Sequence, residues 1–191
     1  MALELLTGPA SEPITLAETK LYLRVDHSDE DSLISSLIQT SRLQVEAALG
    51  LALISQQWTL HADCWPLSGV VELPLRPLIS VDEIRVLSAD GEAEVLDSIA
   101  IAVDRHGDRP RLTSRTGYWP IPGQRLNGIA IDFTAGFGSD ASAVPDDVRQ
   151  ALMALVGHWF EHRGLEQVTG AASVIPKHVS ALLAPYRAVR I

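Results

Sequence analysis

The stretch ITLAETKLYLRVDHSDEDSLISSLIQTSRLQVEAALGLALISQQWTLHADCW (Ile14–Trp65) decides the fold. It passes from one helical period, through an acidic break, to a second helical period and then to strand alternation. Thr15 stands three residues before Glu18, so a hydroxyl and a carboxylate can each take up a free amide at a helix start. Ala17, Leu21 and Val25 follow at four-residue spacing, and a short helix is expected from about Leu16 to Arg24. Asp26-His27-Ser28-Asp29-Glu30-Asp31 breaks it and opens another helix, because acidic side chains favour the positive end and Ser28 or Asp29 can cap it. Leu33, Ile34, Leu37, Ile38, Ser41, Val45 and Ala48 fall on one face over roughly five turns, and Gly50 stops the helix. From Leu53 the period becomes two, with Ile54, Trp58 and Leu60 on one side and Ser55, Gln57, Thr59 and His61 on the other, a half-buried strand.

Beyond Trp65, Pro74 and Pro77 interrupt Val70 to Leu78 and confine it to a sheet edge or an irregular ladder, since proline donates no backbone hydrogen bond. Ile79 to Ser88 and Glu92 to Leu96 flank Asp90-Gly91, the dipeptide of a tight hairpin. Short strands are expected at Ile99 to Val103 and Arg111 to Ser114. Ile129, Ile131 and Phe133 alternate with Ala130, Asp132 and Thr134 in a last strand ending at Gly136-Phe137-Gly138. Pro145 then opens a helix with Asp146 and Asp147 in its first turn, Val148, Leu152, Leu155 and Trp159 on one face, and a stop at Gly164. A short helix from His178 to Leu183 precedes Pro185. The chain therefore reads as a single α+β domain: a bundle of helices from both chain ends (14–50 and 145–164), a β-rich block (53–138) inserted between the second and third long helices, and a C-terminal arm (165–191).

With 47% apolar and 20% charged residues the chain can bury a real core, which excludes a disordered class. Its one cysteine, Cys64, rules out an internal disulfide framework and reads as a half-buried thiol beside Trp65. The first residues lack the basic cluster and apolar run of an export signal, and no stretch is long and apolar enough to span a membrane, so action in the cytoplasm of the producing cell is expected. A net charge of −9 disfavours gripping nucleic acid through its phosphates. The acidic excess lies before Asp140, whereas the rest is near neutral, with Lys177, Arg187 and Arg190 toward its end.

Catalytic patterns are scarce. His158-Trp159-Phe160-Glu161-His162 fits H-x-x-E-H on a helix, where His158 and His162 could share a zinc ion with Glu161 as base, but no third ligand stands in a helical context nearby. The plainer reading is the polar end of an amphipathic helix. The acidic run lacks the glycine and the final carboxylate of a calcium loop. No phosphate loop, nucleophile elbow or paired cysteine ligands occur, so neither cofactor nor resident metal is expected.

What remains are contact features: Trp65-Pro66, the loop bearing Tyr118 and Trp119, Val174-Ile175-Pro176, and the terminal Tyr186, Arg187, Arg190 and Ile191. Aromatic and arginine side chains anchor interfaces because they offer area and directed bonds at low ordering cost. Trp65 and Trp119 could equally cap the β block's own core.

Thr15-Leu16-Ala17-Glu18 through Leu23-Arg24-Val25-Asp26, Asp29-Glu30-Asp31 with Leu33-Ile34, Val45-Glu46, Gly50, Ala52-Leu53-Ile54, Gln57-Trp58 and Trp65-Pro66 together resemble the head–tail connector, or adaptor, proteins of long-tailed phages and prophage-derived gene transfer agents. The likeness continues in Leu73-Pro74, Pro77, Ser80-Val81, Pro145, Val148-Arg149-Gln150-Ala151, His158-Trp159, Arg163, Pro176, Leu182-Leu183 and Pro185-Tyr186-Arg187. The resemblance implies a non-enzymatic subunit that closes into a ring, commonly a dodecamer, beneath the portal protein, extends the DNA channel and offers a platform to a stopper or tail-terminator protein. DNA would pass without specific binding, which an acidic lumen suits, and Asp26, Asp29, Glu30 and Asp31 are the candidate channel-facing groups. The C-terminal arm would dock on the portal or on an adjacent copy. Another tail-completion or neck component is the alternative, and the zinc hydrolase a remote one.

Overall fold

The computed structural model describes residues 1–162 and 175–187 apart from His106 and Asp108, and the chain divides into two compact units. One comprises Met1–Ala10 and Gly50–Phe137, the other Ser11–Leu49 and Gly138–Ile191. With two antiparallel sheets and four helices among the described residues, the class is α+β.

The second unit holds α1 (Leu16–Leu23), α2 (Asp31–Leu49), α3 (Asp146–His162) and α4 (Lys177–Leu182). α3 packs on the other three, and α1 also touches α2. Ile34, Ile38 and Val45 of α2 and Val148, Leu152 and Leu155 of α3 are buried, as the apolar stripes require. The expected capping box is present: Glu18 N–H donates to Thr15 Oγ1 at 3.2 Å and Thr15 N–H to Glu18 Oε2 at 3.0 Å. The backbone bond from Thr15, then the bond from its hydroxyl, hold the Glu18 carboxyl below its ordinary value against a burial effect that pushes the other way, and Arg149 assists. A depressed carboxylate stabilises the fold above its unfolded pKa, and that stability is lost as pH falls through the folded value. Thr15→Ala is expected to cost about 1 kcal/mol at neutral pH. In urea titrations the deficit should shrink on acidification through the carboxylate range.

Two helix faces differ from the sequence reading. On α1, Leu21 is 82% exposed and Thr19 is the buried residue, its Oγ1 donating to Thr15 O at 2.8 Å. Leu16, Thr19, Lys20 and Leu23 form the inward face; Val25 lies past the helix, which ends where Arg24 turns left-handed at φ 57°. On α2 the buried stripe is rotated to include Arg42, Glu46 and Leu49, while Leu33 and Ala48 are exposed. The acidic break is closed by backbone rather than by a Ser28 or Asp29 side chain: Asp31 N–H donates to Ser28 O at 3.2 Å and Ile34 N–H to Glu30 O at 2.9 Å.

The first unit holds β1 (Ala2–Thr7), β2 (Gln56–Ala62), β3 (Val70–Glu72), β4 (Leu78–Leu87), β5 (Ala93–Val95), β6 (Ile101–Asp104), β7 (Arg111–Ser114) and β8 (Ile129–Ala135). A five-stranded sheet runs β1-β2-β8-β4-β5 and a three-stranded one β3-β7-β6, with every neighbouring pair antiparallel. Leu60, Ile84, Ile131 and Phe133 of the larger sheet share one core with Val71, Ile101 and Leu112 of the smaller. Of the Val70–Leu78 stretch expected at an edge or in an irregular ladder, β3 is an edge strand, whereas Leu78 opens β4, which lies between β8 and β5.

β1 was not foreseen, and it makes the β unit more than an insertion between α2 and α3. β2 is thereby an internal strand with both faces partly covered: Thr59, expected outside, is buried and donates to Asp132 Oδ1 at 2.6 Å. The β4–β5 hairpin is present with Arg85 opposite Val95, but its turn is wider than two residues. Ser88 N–H donates to Glu92 O at 2.9 Å, and only Gly91 takes a positive angle, φ 87°. Cys64 is exposed rather than half-buried, because β2 ends at Ala62 and the following bend turns the thiol outward.

Candidate assembly surfaces

In the β unit, Trp65 and Trp119 stack with ring centroids 4.1 Å apart and planes inclined by 11°. Trp65 Nε1 donates to Pro120 O at 2.8 Å and Trp119 Nε1 to Gly69 O at 2.9 Å, so each indole fastens the turn next to the other. Both rings are partly buried against the unit's core, and Pro66 is half-buried. Their neighbours are not: Leu67, Tyr118 and Ile121 are 108%, 83% and 91% exposed. The pair thus caps the core and at the same time holds an apolar knob in water.

In the helical unit, the last described residues are tied down by side chains. Tyr186 OH donates to Asp147 Oδ1 at 2.8 Å, and burial followed by that carboxylate pushes the phenol up to about 12. Arg187 Nη2 donates to Ser180 Oγ at 2.6 Å; Ile175 and Pro176 are half-buried at the start of α4. Val174, Arg190 and Ile191 lie outside the described residues. Of the acidic break, Asp26 and Asp29 are exposed and Glu30 is half-buried, whereas Asp31 is bound to Lys20 Nζ at 2.5 Å.

His158 and His162 do meet, with ring centroids 4.5 Å apart, and His162 Nδ1 lies 2.8 Å from the His158 carbonyl, the backbone partner of its own helical turn. They line an open groove of 590 Å³ with Tyr22, Arg24, Glu161 and His178. Among the described residues no three His, Cys, Asp or Glu side chains are grouped to hold a metal ion.

Sequence reasoning missed one cluster altogether. Arg42, 4% exposed, is gripped by Glu12 through Nε at 2.8 Å and Nη2 at 3.3 Å and by Glu46 through Nη1 at 2.8 Å. Burial opposes its charge, but the hydrogen bonds and charges of Glu12 and Glu46 prevail and raise the guanidinium above its ordinary value. The signal was the i,i+4 spacing of Arg42 and Glu46.

Among the described residues, what the geometry offers is surface: rigid aromatics, apolar edges and acidic turns. Against known proteins, residues 12–189 match the head completion protein family. The chain belongs to that family. No curated protein matches it. Among solved structures, a chain from the virion of a native gene transfer agent particle is 29% identical with a TM-score of 0.84. A chain from the neck of an empty gene transfer agent particle, computed with C6 symmetry, is 29% identical with a TM-score of 0.85. A third, from the neck of a native particle computed with C12 symmetry, is 28% identical with a TM-score of 0.82. Each comparison covers 100% of this chain and 97% of the other.

Proposed function

We propose that this member of the head completion family is a head–tail connector subunit, closing into a ring beneath the portal, extending the DNA channel and joining capsid to tail. The observation that carries it is the full-length likeness to neck chains of gene transfer agent particles, read with the family match. The 12-fold neck of a relative supports a ring of twelve copies. In this reading the four helices form the bundle typical of connectors, and the C-terminal arm (165–191), which includes Tyr186 and Arg187, docks on the portal or on the next copy. The portal lies on one side of the ring and a stopper or tail terminator on the other. The subunit works as a structural part and not as an enzyme; it is made in the cytoplasm of the producing bacterium and ends in the neck.

A net charge of −9 supports the channel role, because DNA must slide past a wall that offers its phosphates no cationic grip. In this reading Asp26, Asp29 and Glu30 face the channel and repel it, and Asp31, neutralised by Lys20, contributes less. Particles produced without this chain are expected to give heads and tails that do not join, with joining restored when the chain is supplied from a second copy of its gene. Electron microscopy of restored particles should place it in the neck. Tailed particles at undiminished yield without the chain would overturn the proposal, and its recovery with purified headless tails would favour a tail-completion component instead.

A further inference from the structure

We infer that β1, the open edge of the five-stranded sheet, is where the next copy of this chain docks in the ring, an assignment that rests on the connector reading above. A sheet has two edges, and this chain treats them differently. β5 is three residues long and sits among Asp90, Glu92, Glu94 and Asp97, the short and charged kind of edge that discourages a further strand. β1 is six residues long, exposed at every position, and carries Leu3, Leu5 and Leu6. Its one charge does not guard it, since Glu4 Oε2 lies 2.9 Å from His61 Nε2 on the neighbouring strand. An unguarded apolar edge of this length is an aggregation hazard unless assembly covers it.

The register shows how much is left uncovered. Leu3 stands opposite Leu60 and Leu5 opposite Trp58, so both leucines continue the core side of the sheet. Leu60 belongs to the buried core and Trp58 packs against it, yet Leu3 and Leu5 are 38% and 47% exposed. The apolar face runs one strand further than the core that covers it.

A copy of the same chain is the fitting occupant. In a cyclic ring each subunit meets the next head to tail, so the contact needs two different patches on one molecule. The β unit has the second patch in the knob of Leu67, Tyr118 and Ile121, which the crossed indole bonds of Trp65 and Trp119 hold in place, so that little order is lost on docking. At a net charge of −9, copies repel one another, and contacts between them are best led by apolar groups such as these.

The test places a photo-crosslinking residue at position 5 of the chain as it assembles into particles. Irradiation is expected to give adducts between copies in multiples of 20.7 kDa, with the crosslinked peptide mapping to residues 66–69 or 117–123, and far less from a probe at position 94 on β5. Leu3→Lys with Leu5→Lys should leave the fold intact by circular dichroism, the sites being exposed, and lower incorporation into particles by about ten-fold or more. If position 5 links only to another protein, or the two edges crosslink equally, the edge assignment is wrong while the connector reading stands. Absence of the unmodified chain from particles would instead remove the connector reading and this inference with it.

Discussion

Arg42→Ala is expected to lower the stability of the helical unit by about 3–5 kcal/mol, the cost of breaking a buried ion pair from one side. Arg42 neutralises two carboxylates on an almost fully buried guanidinium, and Glu46, one turn along α2, is itself only 8% exposed. Removing the cation leaves Glu12 and Glu46 facing each other across the space it filled, where water can only partly replace three donated hydrogen bonds. Arg42→Lys should fall between, because an ammonium restores the charge but not the planar fork that reaches both partners. Urea denaturation followed by far-ultraviolet circular dichroism measures both. A loss below about 1 kcal/mol for Arg42→Ala would class the cluster with solvent-screened surface pairs and refute its role as the clamp between residue 12 and α2.

That cluster also shows where the sequence stops being legible. Elements whose burial is carried by apolar letters were readable, the stripe of α3 and the alternation of β8 among them, and the exposed Thr15–Glu18 box stands where its local three-residue spacing placed it. Faces carried by polar letters were not. Thr19 and Lys20 help form the inward side of α1, and Arg42 and Glu46 that of α2, because pairing makes polar groups fit to bury, and partners distant in sequence leave no periodic trace. β1 was hidden for a different reason. Its Leu3 and Leu5 alternate properly with Ala2 and Glu4, but a register shift between Leu5 and Thr7 puts Leu6 out of phase and blurs the period. Of the contact features, Trp65 and Trp119 were named as residues, but their mutual stacking required two loops far apart in the chain to meet, and neither period nor composition encodes that.

Gly136→Ala should be a strongly damaging one-carbon change in the β unit. The residue follows β8 with φ 146°, a backbone angle that side chains resist, and its N–H donates to Pro77 O at 2.9 Å. A Cβ there would lie 2.6 Å from both the backbone nitrogen and the Cα of Ser55 and 2.7 Å from the Ile54 carbonyl carbon. Those atoms belong to the segment entering β2, which is pinned on both sides by β1 and β8, so the clash cannot be relieved by turning a side chain. Strain and overpacking together put the expected loss at about 2–5 kcal/mol. Gly117 supplies the control: it too has a positive angle, φ 78°, but a Cβ there meets nothing within 4 Å, and Gly117→Ala should cost only about 1 kcal/mol. The difference between the two substitutions in parallel urea titrations reads the backbone contact together with the greater dihedral strain at φ 146°. Equal losses would mean that the β2 entry yields to the added carbon and that Gly136 is required for its angle alone.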